Sequence, residues 1–258
     1  MSNWPLAAAS RFETIGAGTT VTSGGANAYG TPVSIGTTSF AWSGFFLDLT
    51  APANGSYRIT ITLGSGGPTL VEDLFLDFAG NSGAGVPEIW CPVHVPSGAA
   101  LYAKIQCSAA SSTLHFSITG YRQDFPAEAG FSRVLSCTDF TNTVPANSVT
   151  ETGNTVTGLT VIRSSLPARM AGLWVTPCRA GDSSRTASDL TVDVCIGGAG
   201  AEQVLATRFF RQTSTFVLPQ IARIPCDLPS GTRLSFRVAC GNGSAADSLS
   251  MAAWGAAA

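Results

Sequence analysis

Apolar and polar residues alternate along much of the chain. In Ser56–Gly64, Tyr57, Ile59, Ile61 and Leu63 fall on one face, and Arg58, Thr60 and Thr62 on the other. This period of two is the signature of a strand with one buried face. Leu101–Gln106 and Thr113–Thr119 repeat it, the latter setting Leu114, Phe116 and Ile118 inward and His115 outward. No stretch sustains the apolar spacing of three and four that an amphipathic helix requires. The 28 glycines and 14 prolines punctuate the strands: Gly64-Ser65-Gly66-Gly67-Pro68 ends one, and Pro96-Ser97-Gly98 separates two others. Many short strands between such turns predict a sandwich or barrel.

The alternation is duplicated. Pro92–Cys107 (PVHVPSGAALYAKIQC) aligns without a gap on Pro225–Cys240 (PCDLPSGTRLSFRVAC), 133 residues on. At the same offset Tyr57, Ile59, Ile61 and Leu63 meet Leu190, Val192, Val194 and Ile196, Gly64 meets Gly197, and Val71 meets Val204. Gly44-Phe45-Phe46-Leu47 meets Gly172-Leu173-Trp174-Val175, and Leu114 and Phe116 meet Leu249 and Met251. A near-constant offset across separate motifs is the mark of an internal repeat. The shared Pro-Ser-Gly is turn chemistry: proline presets φ, and glycine takes the positive φ of a type II turn. The expected fold is all-β, two tandem, internally duplicated jelly-roll-like β-sandwich domains. Residues 1–125 form the first, with a short apolar leader, and residues 126–258 the second. The join near Tyr121–Gly130 is short, which predicts two sandwiches docked in a fixed orientation.

Composition narrows the partners. Charged residues are 12% of the chain, against about 25% in an average soluble protein, and net charge is -2 with a single lysine, Lys104. No basic footprint for nucleic acid is present, and weak charge repulsion favours association. No apolar run reaches the roughly 18 residues of a membrane-spanning helix, and Met1–Arg11 lacks the basic region and long apolar core of a signal peptide. Synthesis in the cytoplasm without export is the expectation. The seven cysteines are odd in number and include no CxxC pair, which predicts reduced core residues rather than disulfides or a zinc site.

The chemistry of an enzyme is not apparent. His94 and His115 are the two histidines; the repeat places Asp227 opposite His94, and the alternation turns His115 outward. No nucleophile elbow, zinc-binding helix or phosphate loop occurs. Glu72 and Asp73 are adjacent on a strand, so they are expected on opposite faces, unable to act as an acid–base pair. Loop acids lack the spacing of a helix–loop–helix calcium site. No catalytic residue, metal or cofactor is therefore assigned. The aromatic groups Phe40, Trp42, Phe45 and Phe46, and Phe209, Phe210 and Phe216, suit a core or a subunit interface; exposed on a face, they would instead suit sugar stacking. Trp4 and Leu6 in the leader, with Phe45 and Phe46, are the candidate interface residues.

With the repeat laid out, the chain resembles β-sandwich virion proteins of tailed bacteriophages. The resemblance rests on Gly44-Phe45-Phe46-Leu47, on Ile59-Thr60-Ile61-Thr62-Leu63-Gly64-Ser65-Gly66-Gly67, and on the Pro-x-x-x-Pro-x-Gly segments ending at Cys107 and Cys240. It implies a non-enzymatic structural component of the virion, made in the host cytoplasm: a capsid decoration, head–tail collar or tail accessory subunit. The implied partners are copies of itself, as a homo-oligomer, and other virion proteins, with no nucleic acid or membrane. The alternative is a receptor- or carbohydrate-binding module of the tail that takes a host-surface glycan.

Overall fold

The structure, a computed structural model, describes residues 11–52, 54–78, 84–85, 88–122, 131–151, 153–178, 188–212, 220–241 and 248–257. The first half holds β1 (Phe12–Thr22), β2 (Val33–Thr37), β3 (Trp42–Ala51), β4 (Ser56–Leu63), β5 (Thr69–Asp77), β6 (Ala84–Gly85), β7 (Ile89–Cys91), β8 (Ala100–Cys107) and β9 (Thr113–Arg122). The second holds β10 (Arg133–Ser136), β11 (Phe140–Thr141), β12 (Val144–Pro145), β13 (Val149–Thr150), β14 (Thr160–Arg163), β15 (Met170–Cys178), β16 (Ser188–Ile196), β17 (Gln203–Gln212), β18 (Ala222–Ile224), β19 (Leu234–Cys240) and β20 (Ser248–Ala257). Among the described residues every regular element is a strand.

The halves share one topology. In the first, β1, β9, β3 and β7 form one sheet in that order, and β2, β8, β4 and β5 the other. In the second, the same order reads β10, β20, β15, β18 and β14, β19, β16, β17. Each half is an eight-stranded jelly roll, in which strands distant in sequence become sheet neighbours. The fold is therefore all-β and internally duplicated, as the repeat predicts. The proposed boundary between residues 125 and 126 lies outside the described residues. The halves are stitched by a parallel pairing of β5 with β10, where Val71 faces Val134. The far sheet of the first half and the near sheet of the second thereby become one continuous sheet.

The predicted phases hold where one face is covered. Tyr57, Ile59, Ile61, Leu114, Phe116 and Ile118 are buried, and His115 is half-buried, turned outward to Thr20. Both Pro-Ser-Gly segments turn with glycine at positive φ as expected, Gly98 at 74° and Gly231 at 84°, but the proline precedes the two positions whose φ define the turn and so does not preset it. The proline occupies the first turn position, where its carbonyl accepts the amide of Ala99 or Thr232. The seven cysteines form no disulfide, and six of them are buried. Burial pushes the Cys137 thiol up to about 12.

Trp42 shows how the first core is held. Its ring is fully buried, its backbone exchanges hydrogen bonds with Val95, and its Nε1 donates to Glu13 Oε1 at 2.7 Å. Burial alone would raise the Glu13 pKa; the hydrogen bonds from Ser39 and Trp42 outweigh it and hold the carboxylate below its ordinary value. Gly120 must be glycine, because a Cβ there would sit 2.0 Å from the Trp42 ring.

Candidate functional site

The most built-up surface is a trough over the junction of the halves. It comprises adjoining clefts of about 430 Å³ and 660 Å³, both lined by Glu72, Asp73 and Arg133. A β-bulge creates it. Ile59 pairs with Leu74 and Ile61 with Val71, so Glu72 and Asp73 together stand opposite Thr60. Asp73 takes a left-handed backbone, φ 50°. The bulge breaks the alternation and turns both carboxylates to the same trough, which corrects the expectation that they occupy opposite faces.

Asp73 is held as a structural anion. It accepts hydrogen bonds from the Tyr29 hydroxyl and from Arg58. Burial first, and the Asp73 charge second, push the Tyr29 phenol well above its ordinary range, so it serves as a donor. Arg58 also reaches across the junction: it donates to the Asn142 carbonyl at 2.8 Å and lies 4.3 Å from the Phe140 ring centroid. Beneath them, Phe75 is fully buried in a small cluster with Cys178 and Ala252, against which Phe140 packs. The trough is thus the outer rim of a clamp that fastens the halves. His94 is exposed and lines neither cleft; His115 is likewise outside both. No group of metal-ligating side chains occurs among the described residues.

A second feature lies on the outer face of the first sheet. Phe46 packs 4.8 Å from Trp90 and 5.6 Å from Tyr121 between ring centroids, and Phe12 lies 6.4 Å from Tyr121. Gly44 leaves the Trp90 ring its place, since a Cβ there would fall 2.4 Å from it.

The candidate interface residues separate. Trp4 and Leu6 lie outside the described residues. Phe45 is fully buried in the first core, a correction to its place as an interface residue: consecutive strand residues face opposite ways, so Phe45 points inward and Phe46 outward. The most exposed large apolar side chain among the described residues is Phe209, 79% exposed on β17. The Phe209-Phe210 doublet carries the signal, because adjacent strand residues face opposite sides of the sheet, so one of the two points away from the core of its own half. Phe216 lies outside the described residues.

The sequence matches no family model and no curated protein. Among solved structures, the chain is similar to the STIV MCP, a viral major capsid protein, at 12% identity and TM-score 0.45, covering 95% of each chain. It is also similar to the N-terminal CBM22-1–CBM22-2 tandem of Xyn10C from Paenibacillus barcinonensis, at 9% identity and TM-score 0.24, covering 96% of this chain and 93% of that one. Neither likeness assigns a role to any residue of this protein.

Proposed function

We propose that this chain is a non-enzymatic structural subunit of a tailed-phage virion (a capsid decoration, head–tail collar or tail accessory protein). It acts through contacts with copies of itself and with other virion proteins. The observation that carries this reading is the state of its sheet edges. β1 and β17, 11 and 10 residues long, each end a sheet and bear exposed Phe12, Val204 and Phe209. β17 carries Arg208 and Arg211, and β1 is bulged after Ile15, yet the exposed apolar side chains leave both edges able to template pairing with another chain. The low charge of the chain and the anchoring role of the trough's ionised side chains agree with assembly rather than catalysis.

The Phe12, Phe46, Trp90 and Tyr121 cluster favours a second reading, a glycan-binding face, since stacked aromatics on a sheet suit a sugar ring. Analytical ultracentrifugation with and without soluble glycans discriminates. Assembly gives species heavier than the 26.5 kDa monomer, growing with protein concentration. A strict monomer whose fluorescence is quenched by glycan, and not in Trp90→Ala, would overturn assembly in favour of the second reading.

A further inference from the structure

The internal junction has counterparts at the two open edges. β5 and β17 hold the same place in their halves, as do β10 and β1. The ladders fix which residues correspond. Phe75 stands opposite Arg58 and Phe209 opposite Thr191, with Arg58 and Thr191 equivalent positions of β4 and β16. Val134 pairs with Ala256 and Phe12 with Tyr121, equivalent positions of β20 and β9. Inside the chain, Phe75 and Val134 are completely buried; at the open edges Phe209 is 79% and Phe12 48% exposed.

The receiving surface is also repeated. Phe75 packs against Cys178 and Ala252. By ladder position, their counterparts in the first sheet are Thr50 and Ser117. Those two residues line a surface recess of about 140 Å³, together with Gly18, Asp48 and His115. The recess lies beside a gap in pairing: β1 leaves β9 after Ile15 and rejoins at Thr19, with Gly16 and Gly18 at positive φ. In the second half, β10 ends its pairing with β20 at Ser136 and Trp254, two residues from Ala252. Side-chain pattern agrees. β5 and β17 both carry consecutive apolar residues, Leu74-Phe75-Leu76 and Phe209-Phe210, the composition of a strand covered on both faces, yet only β5 is so covered.

We infer that copies of this chain associate head to tail: β17 of one copy lies parallel to β1 of the next, with Phe209 seated in the recess of Thr50 and Ser117, and Phe12 covered by β17. This contact rests on the subunit reading and names its surface. It is heterologous, so copies close into a ring or extend as an array according to the rotation between them.

The test joins cross-linking to sedimentation. Phe209→Cys and Ser117→Cys are made separately in a Cys226→Ser background, which removes the half-buried native thiol. The two are mixed with a short bifunctional thiol reagent. A heterodimer is expected in the mixture, well above the homodimers either variant gives alone. Phe209→Asp, at an exposed site, should keep its unfolding midpoint while self-association weakens at least tenfold. Wild-type oligomers with no heterodimer, and with Phe209→Asp associating normally, would overturn this contact while leaving assembly through another surface. A wild-type monomer at every concentration would overturn both readings.

Discussion

Replacing Trp42 with alanine should cost about 3–5 kcal/mol of folding stability, the range for large aromatic truncations in a core. In a protein of this size, that lowers the unfolding midpoint by on the order of 10 °C. The cost has two sources. The fully buried indole leaves a cavity among residues that cannot collapse around it, since Gly120 presents only backbone to the ring. The Glu13 carboxylate also loses the 2.7 Å hydrogen bond from the indole; it keeps its donors from Ser39, so this second part is the smaller one. Scanning calorimetry of the variant is the check. A midpoint within about 2 °C of wild type would mean that Trp42 is not a keystone of the first core.

Phe75→Asp should act differently. Phe75 belongs to neither main core; it sits between β5 and the Cys178 and Ala252 positions of β15 and β20, with Phe140 5.9 Å away. An aspartate there buries a charge without a partner, which costs several kcal/mol beyond the lost packing. The loss falls on the junction. Each half supplies most of one buried cluster, though Val134, Trp174, Trp254 and Ala256 of the second half also pack into the first, so denaturant unfolding should broaden and separate toward two transitions. Tryptophan fluorescence can follow this, since Trp42 and Trp90 lie in the first half, while Trp174 and Trp254 of the second half pack into the first core and report on the junction. A single transition shifted by less than about 1 kcal/mol would show that other contacts couple the halves.

How far the sequence is legible follows from how many faces each strand buries. β4, β8 and β9 cover one face, so period two survives and their phases read directly. The duplication is equally plain, because the same turn chemistry is needed twice. β15 and β20 are harder. Leu173-Trp174-Val175 and Met251-Ala252-Ala253-Trp254 show no alternation, since Trp174, Trp254 and Ala256 contribute to the first core while their neighbours line the second. A strand buried on both sides reads as an uninterrupted apolar run, and nothing local says which side meets which half. The bulge at Glu72-Asp73 depends on the pairing between β4 and β5, and the Tyr29, Arg58 and Asp73 cluster spans strands far apart in sequence. Phe45 and Phe46 differ only in phase, which sequence alone left open at that doublet.

The central claim is that this chain is a repeating structural part of a particle, and imaging that particle tests it most directly. Electron cryo-microscopy of virions carrying a tagged copy of this protein should show the tag in a regular array on head, collar or tail, with jelly-roll density in which each sheet edge meets another copy or a neighbouring virion protein. Virions that lack the tag, with the tagged protein remaining as free monomers in the infected cell, would contradict it.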